Sequence, residues 1–217
     1  MKFSLEKLTE SVFQQLLPEL QLKSIHPHDP VVVGNIPEPW ELLGAGNYAA
    51  VLCHQDYPDY VVKIYAPNRP GFEEEVEVYR RLGSHPAYSE CFFAEDGILI
   101  LKRLCGVTLY DCIHRGLRIP KKVIQDIDKA LEYARDRNLY PHDIHGRNVM
   151  MYQGRGLVVD ISDFLDRGKC RKWDNLKTAY YYFYRPILSP IKLPIPYFLL
   201  NGVRKLYRML TSWKKWF

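Results

Sequence analysis

Apolar residues recur at helical spacing at the start of the chain, at Leu5, Leu8, Val12, Leu16 and Leu20. The spacing predicts one amphipathic helix, or two short ones, limited by Pro18. Such a helix either pads the neighbouring domain or docks on a partner. From Val31 the texture changes to short apolar runs, V-V-V, W-E-L-L, A-A-V-L-C and Y-V-V-K-I-Y, separated by Gly, Pro, Asn and Asp. These read as consecutive antiparallel strands. Between Pro70 and Gly83 the helical period returns, with Phe72, Val76, Tyr79 and Leu82 on one face, acids early and arginines late, as the helix dipole favours. Cys91 to Leu104 is strand-like again, with I-L-I-L as a buried core strand and a turn at Asp96-Gly97. Pro120 opens a second helix whose Val123, Ile127, Ala130, Leu131 and Ala134 face inward.

Composition narrows the class. A chain of 217 residues, 47% hydrophobic and 13% aromatic, can bury one sizeable core, which excludes a disordered or fibrous protein. The five cysteines are scattered, odd in number and form no C-x-x-C pair, so they read as reduced thiols rather than a zinc or redox motif. The first residues, M-K-F-S-L-E-K-L-T-E-S-V-F, carry acids and no long apolar run, unlike a secretion signal, and a cytoplasmic location is expected. No apolar stretch reaches the roughly 20 residues a membrane-spanning helix needs. The net charge of +5 hides an asymmetry: 18 Lys/Arg stand against 24 Asp/Glu up to Asp166, and 12 against one from Arg167 onward. A mildly acidic body carries a basic tail.

Candidate chemistry begins at Leu43 to Val51, L-G-A-G-N-Y-A-A-V, where Gly44 and Gly46 let backbone N–H groups approach a phosphate, or simply close a hairpin. Lys63 stands further on, in V-V-K-I-Y, with apolar residues on both sides. A lysine inside a strand pattern either snorkels from an edge or pairs with an anion. Glu73, Glu74, Glu75 and Glu77 on the next helix are candidate partners, or a solvated helix start. Beyond the second helix, Y-P-H-D-I-H-G-R-N-V-M-M sets Asp143 and Asn148 five residues apart, and G-L-V-V-D ends in Asp160 twelve residues later.

The order of these elements resembles the protein-kinase-like superfamily: a Gly-rich loop, a strand lysine, a helix glutamate, a catalytic loop and a metal-binding aspartate, here spanning Leu43 to Asp160. R-R-L-G-S-H-P resembles the helix end and loop of bacterial serine/threonine kinases and marks Glu75 as the match for the lysine's partner, with Glu74 second. The resemblance implies that Leu43, Gly44, Gly46, Val51 and Lys63 bind ATP. It also implies that Asp143 positions the acceptor hydroxyl and that Asn148 ligates Mg2+. Asp160 matches the second metal ligand, and such an oxygen pair suits magnesium. Lys63, Glu75 and Asp143 are thereby the expected catalytic set.

The departures from the pattern are specific. Ala49 replaces the third glycine of the loop. Pro141 and His142 replace the His and Arg of H-R-D, so the arginine that receives an activation-loop phosphate is absent. D-F-G becomes D-I-S at Asp160, Ile161 and Ser162, and His145 replaces the usual lysine. D-I-H-G-R-N is closer to the D-x-H-x-x-N form of aminoglycoside, choline and lipopolysaccharide-core kinases. Only 57 residues follow Asp160, with no A-P-E segment, similar to minimal RIO-type, small bacterial or lipopolysaccharide kinases.

The expected architecture is a two-lobed α+β fold with a shortened C-terminal lobe and ATP in the cleft. It comprises a helical extension over 1–30, a kinase-like domain over 31–200 with its N-lobe at about 31–104 and C-lobe at about 105–200, and a basic helix over 201–217. Trp173, Leu176, Tyr180 and Phe183 fit a helix packed on the domain. In 201–217, Val203, Leu206, Tyr207, Leu210, Trp213 and Phe217 lie opposite Arg204, Lys205, Arg208, Lys214 and Lys215. That pattern suits either a covering helix or contact with an anionic membrane, and no nucleic-acid fold signature accompanies it. The expected activity is ATP- and Mg2+-dependent phosphate transfer to a hydroxyl of a protein, with a sugar or lipid kinase and a nucleotide-binding scaffold as alternatives.

Overall fold

The computed structural model describes residues 2–26, 28–203 and 205, with α-helices and β-sheets in two compact units. The first comprises Met1–Leu104, Tyr133–His142 and Ile161–Arg167. Its chain opens with α1 (Lys2–Ser11), a π-helical turn (Val12–Leu16) and α2 (Leu17–Glu19), followed by the paired strands β1 (Gln21–Lys23) and β2 (Val32–Gly34). An antiparallel sheet of five strands comes next: β3 (Trp40–Ala45), β4 (Ala49–His54), β5 (Tyr60–Tyr65), β6 (Cys91–Glu95) and β7 (Ile98–Lys102), in spatial order β3-β4-β5-β7-β6. Helix α3 (Phe72–Leu82) lies in the chain between β5 and β6.

One face of this sheet packs on the first helix, and the other meets α3 through Lys63. On one face Ala50, Leu52, Val62, Ile64, Ile98 and Ile100 form a core with Leu8, Val12 and Leu16 of the first helix and with Val31 and Trp40. Residues four apart drift around an ideal α-helix. The wider π-helical turn after Ser11 offsets that drift and holds Leu8, Val12 and Leu16 on one stripe, each no more than 1% exposed. The first helix therefore belongs to the core of this unit.

The other face carries the cross-strand row Gly44, Val51, Lys63 and Leu99. Helix α3 supplies the partner for Lys63. It is bounded by Gly71 and Gly83, both at positive φ, where a residue without Cβ is unstrained. Its buried residues are Glu75, Val78, Tyr79 and Leu82, whereas Phe72 and Val76 are half-buried. The expected stripe through Phe72 and Val76 is thus rotated, because Glu75 turns inward to meet Lys63. Tyr133 donates from its hydroxyl to Leu82 O at 2.7 Å and Arg81 donates to Asn138 O at 3.0 Å, which ties the 133–142 segment to the end of α3.

The second unit comprises Cys105–Glu132, Asp143–Asp160 and Gly168–Phe217. Its sheet runs β10-β9-β8, from β8 (Val107–Thr108), β9 (Val149–Tyr152) and β10 (Arg155–Val158). Helix α4 (Leu109–His114) is capped by the Thr108 hydroxyl, which accepts from Asp111 N–H at 3.0 Å. In α5 (Lys121–Arg135) the five residues predicted to face inward are all at most 1% exposed. Gly156 lets β10 lie directly against α5, since a Cβ there would sit 2.4 Å from Val123 O.

The chain continues through α6 (Lys172–Ala179), a π-helical stretch (Tyr180–Leu188) and α7 (Ser189–Ile191). Trp173 and Tyr180 are buried as expected, but Phe183 is 63% exposed and Tyr184 is buried in its place. The π-helical spacing brings Tyr180 and Tyr184 onto one side, with stacked rings 5.4 Å apart. Of the basic segment 201–217, residues 204 and 206–217 lie outside the described residues. No described helix is long and apolar enough to cross a membrane.

Leu16→Ala, which empties a fully buried site under the sheet, is expected to cost about 2–5 kcal/mol, read from urea denaturation. Burial raises the Asp126 carboxyl pKa, but hydrogen bonds from Arg155, Lys122 and Gly156 N–H outweigh it and hold the group below its ordinary value. A lowered folded pKa gives stability that is present above the unfolded value and lost as pH falls through the folded one. Asp126→Asn is expected to be less stable at neutral pH and to flatten the acid side of the stability profile in pH-dependent urea melts.

Candidate active site

In the first unit the site starts from a buried ion pair. Lys63 Nζ lies 2.6 Å from Glu75 Oε2, with the lysine side chain 15% exposed and the glutamate 1%. A buried carboxylate without a cation is costly, so sheet and helix hold each other in register through this contact. Tyr65, two residues along the same strand and therefore on the same face, donates its hydroxyl to Glu75 Oε2. That hydroxyl also lies 3.2 Å from Gly71 O, and the Tyr65 ring packs edge-on against Phe72. Glu75 forms the pair; Glu74, the second choice from the sequence, is exposed. Tyr65 carries no motif of its own in the sequence, although its place two residues after Lys63 was the available signal.

The glycine loop is a tight connection between β3 and β4. Gly46 N–H donates to Ala49 O at 2.9 Å, Val31 N–H donates to Gly46 O at 2.8 Å, and Ala66 N–H donates to Tyr48 O at 2.8 Å. Neither Gly44 nor Gly46 has positive φ. A Cβ on Gly44 would meet nothing within 4 Å, and one on Gly46 only an ordinary contact. The described fold itself therefore does not demand glycine there. Leu43 is 45% exposed, and Val51 is half-buried between its partners Gly44 and Lys63. His142, also in this unit, replaces the usual arginine and places Nε2 3.7 Å from Asp166 Oδ2.

The second unit gathers Asp143, Asn148 and Asp160. Asp143 has φ +51°, a left-handed conformation that Asp tolerates better than most residues. The turn after it is closed by two bonds: Asn148 N–H donates to His145 O at 2.9 Å, and the Asn148 side-chain amide donates to Asp143 O at 3.2 Å. The β9-β10 ladder continues beyond its last strand pair, as Val159 N–H donates to Asn148 O at 3.0 Å. Asp160, half-buried, is thus one residue past the rung that holds Asn148.

Lys172, at the start of α6, donates to Asp143 Oδ1. His145 Nδ1 accepts from Arg147 N–H at 3.3 Å, so the neutral ring carries its proton on Nε2, which lies 3.7 Å from Asp143 Oδ2. Asp143 thus has a lysine at one oxygen and an imidazole near the other. Nothing in the sequence marks Lys172, because it stands 29 residues beyond Asp143 in a segment without a motif.

The chain is similar to a Bacillus subtilis (strain 168) protein named "Putative serine/threonine-protein kinase YrzF", with 30% identity over 179 residues that cover 81% of this chain and 80% of that protein. Among solved structures, two of the PknI kinase domain from Mycobacterium tuberculosis, one a mutant, are similar at 21% and 22% identity, with TM-scores of 0.44 and 0.43. Those matches cover 66% and 56% of this chain and 61% and 58% of the PknI chains, so the chain spans about three fifths of their length. No family model matches the sequence.

Lys63→Met strips the cation from a carboxylate that is 1% exposed and is expected to destabilise the protein by about 3–5 kcal/mol. Adding Glu75→Gln to Lys63→Met should recover much of that loss, because no uncompensated charge remains. Urea denaturation of the four members of the cycle measures both effects.

Proposed function

Because the chain belongs to the protein-kinase-like superfamily, whose members include the 30%-identical Bacillus subtilis relative, we propose that it is an ATP- and Mg2+-dependent phosphotransferase acting on a hydroxyl, with serine or threonine of a protein as the acceptor. The observation that carries this reading is the buried Lys63–Glu75 pair, which holds a lysine ammonium in one orientation on an otherwise apolar sheet face. In the proposed arrangement Lys63 binds the α- and β-phosphates, while Glu75 and Tyr65 fix its direction. Gly44 and Gly46 leave room for close approach of phosphate to the backbone, consistent with the open space where a Gly44 Cβ would stand. Leu43 and Val51 flank the base.

The donors at Asn148 and Asp160 suit Mg2+. Both offer hard oxygen ligands, and because the Asn148 amide nitrogen bonds Asp143 O, its oxygen is the end presented to a cation. The metal supplies charge neutralisation on the transferred phosphate. Asp143 orients the acceptor hydroxyl and accepts its proton. Lys172 brings positive charge beside Asp143, where protein kinases commonly place a lysine in the catalytic loop and this chain has His145. The kinase-like domain is proposed to span 31–200 with a shortened C-terminal lobe. The D-I-H-G-R-N loop favours a second reading, a small-molecule, sugar or lipid acceptor.

The test is transfer of radiolabelled γ-phosphate from ATP with Mg2+ to the protein itself, to a generic basic protein and to a lipid extract. Label is expected with the unsubstituted protein and is expected to fall about 10²–10⁴-fold in Asp143→Asn. Measurable nucleotide binding with no transfer to any acceptor overturns the enzyme reading in favour of a scaffold. Lys172→Ala should lower kcat more than it changes the KM for ATP.

A further inference from the structure

The proposed chemistry leaves the segment after α6 unused, and that segment exposes large apolar side chains in an unusual concentration. Phe183, Ile187, Ile191, Leu193, Phe198 and Val203 are all more than half exposed, from 52% at Ile187 to 71% at Phe198. Phe183, Ile187 and Ile191 succeed one another at a spacing of four, and Leu199 and Val203 repeat that spacing. Soluble monomers rarely expose contiguous apolar patches of more than a few hundred Å2 unless something covers them.

The segment is anchored from beneath by its polar and aromatic groups. Tyr184 donates to Leu117 O at 2.9 Å and Tyr180 to Ile119 O at 3.0 Å. His114 Nδ1, which must carry a proton to face a carbonyl, lies 3.0 Å from Ile195 O, and its ring stacks on Tyr197 at 3.6 Å. Tyr197 donates to Asp111 Oδ1 at 2.9 Å, and Tyr110 donates to Asn201 Oδ1 at 2.7 Å. Gly116 admits the backbone directly, since a Cβ there would sit 2.4 Å from Lys192 O. With its inner side fixed at these places, the segment presents its apolar side chains outward as a built surface.

Charge decides what covers it. From Arg167 onward the chain has 12 Lys/Arg and one acid, and Arg185, Lys192 and Lys205 are exposed among the apolar residues. Two copies meeting through this face would bring like charges together, whereas an anionic bilayer offers both a compensating charge and an apolar layer. We propose that residues 182–203, with Lys205, form a docking surface for an anionic lipid membrane, with Phe183, Ile187, Ile191 and Phe198 entering the headgroup–acyl boundary and Arg185, Lys192 and Lys205 contacting lipid phosphates. This surface is independent of the phosphotransfer reading.

The experiment is flotation of the full chain, without nucleotide, with vesicles of phosphatidylcholine alone or mixed with phosphatidylglycerol. The protein should float with the anionic vesicles and not with the neutral ones, and should release as salt rises from about 0.1 to 0.5 M. The variant Phe183→Asp/Ile187→Asp/Phe198→Asp alters exposed positions only. It should keep the circular dichroism and thermal midpoint of the parent and lose roughly tenfold or more of its partitioning. Arg185→Glu/Lys192→Glu should weaken binding to anionic vesicles without unfolding. Equal flotation of parent and triple variant overturns the proposal. So does equal binding to both vesicle types, or a concentration-dependent dimer in sedimentation that the triple variant abolishes, which would make the face a contact between copies. Flotation needs no ATP, so its result is separable from any failure of phosphate transfer.

Discussion

A glutamate that is 1% exposed inside an apolar helix–sheet interface is tolerable only if its charge is met, and in the first unit Lys63 and the Tyr65 hydroxyl meet it. Much of the local arrangement depends on that constraint. Helix α3 must present Glu75 inward, so Val78 rather than Val76 is fully buried. Gly71 must open the helix at positive φ, which brings its carbonyl close to the Tyr65 hydroxyl. Lys63 must stand on the sheet face opposite the one packed by the first helix, and strand alternation puts Val62 and Ile64 there instead. Desolvating both charges makes the pair a poor way to join a helix to a sheet on energetic grounds alone. Its presence in an otherwise apolar setting is intelligible if the ammonium has work to do beyond packing.

The second unit solves a different problem, the exposure of several polar groups from one short turn. The turn from Asp143 to Asn148 is closed by its own bonds, to His145 O and Asp143 O, and one residue bears a modest conformational strain at φ +51°. The ladder bond from Val159 then fixes Asp160 relative to Asn148. Several of the departures from the protein-kinase pattern fall around this turn. His145 stands where a lysine is common, and Lys172 reaches Asp143 from α6. A positive charge thus reaches Asp143 from a position 29 residues away that only folding brings near.

The same unit shows how a π-helical stretch redistributes side chains. Tyr180 and Tyr184 turn inward and their hydroxyls bond carbonyls of the segment before α5, which releases Phe183 and Ile187 to the surface. An α-helical period assigns Phe183 to the buried face, and it fails here because the backbone changes its number of residues per turn.

The sequence by itself determined the elements and the order of the candidate groups along them. The strand runs, the helices from Phe72 and Lys121, the turn at Asp96-Gly97 and the order of glycine loop, Lys63, Glu75 and the Asp143–Asn148 turn are local or ordered along the chain, and local periodicity and motif spacing carry them. Tertiary structure alone decided that α3 buries Val78 rather than Val76, that Tyr65 and Lys172 join the polar groups, that Leu8, Val12 and Leu16 cover one face of the sheet, and that Phe183 is exposed. Each of these depends on helix rotation, on a change of helical pitch or on a contact between residues far apart in the chain. A periodic pattern fixes which residues share a face but leaves open what that face meets, and the free energy of burying charge and apolar surface settles it only when the partners are brought together.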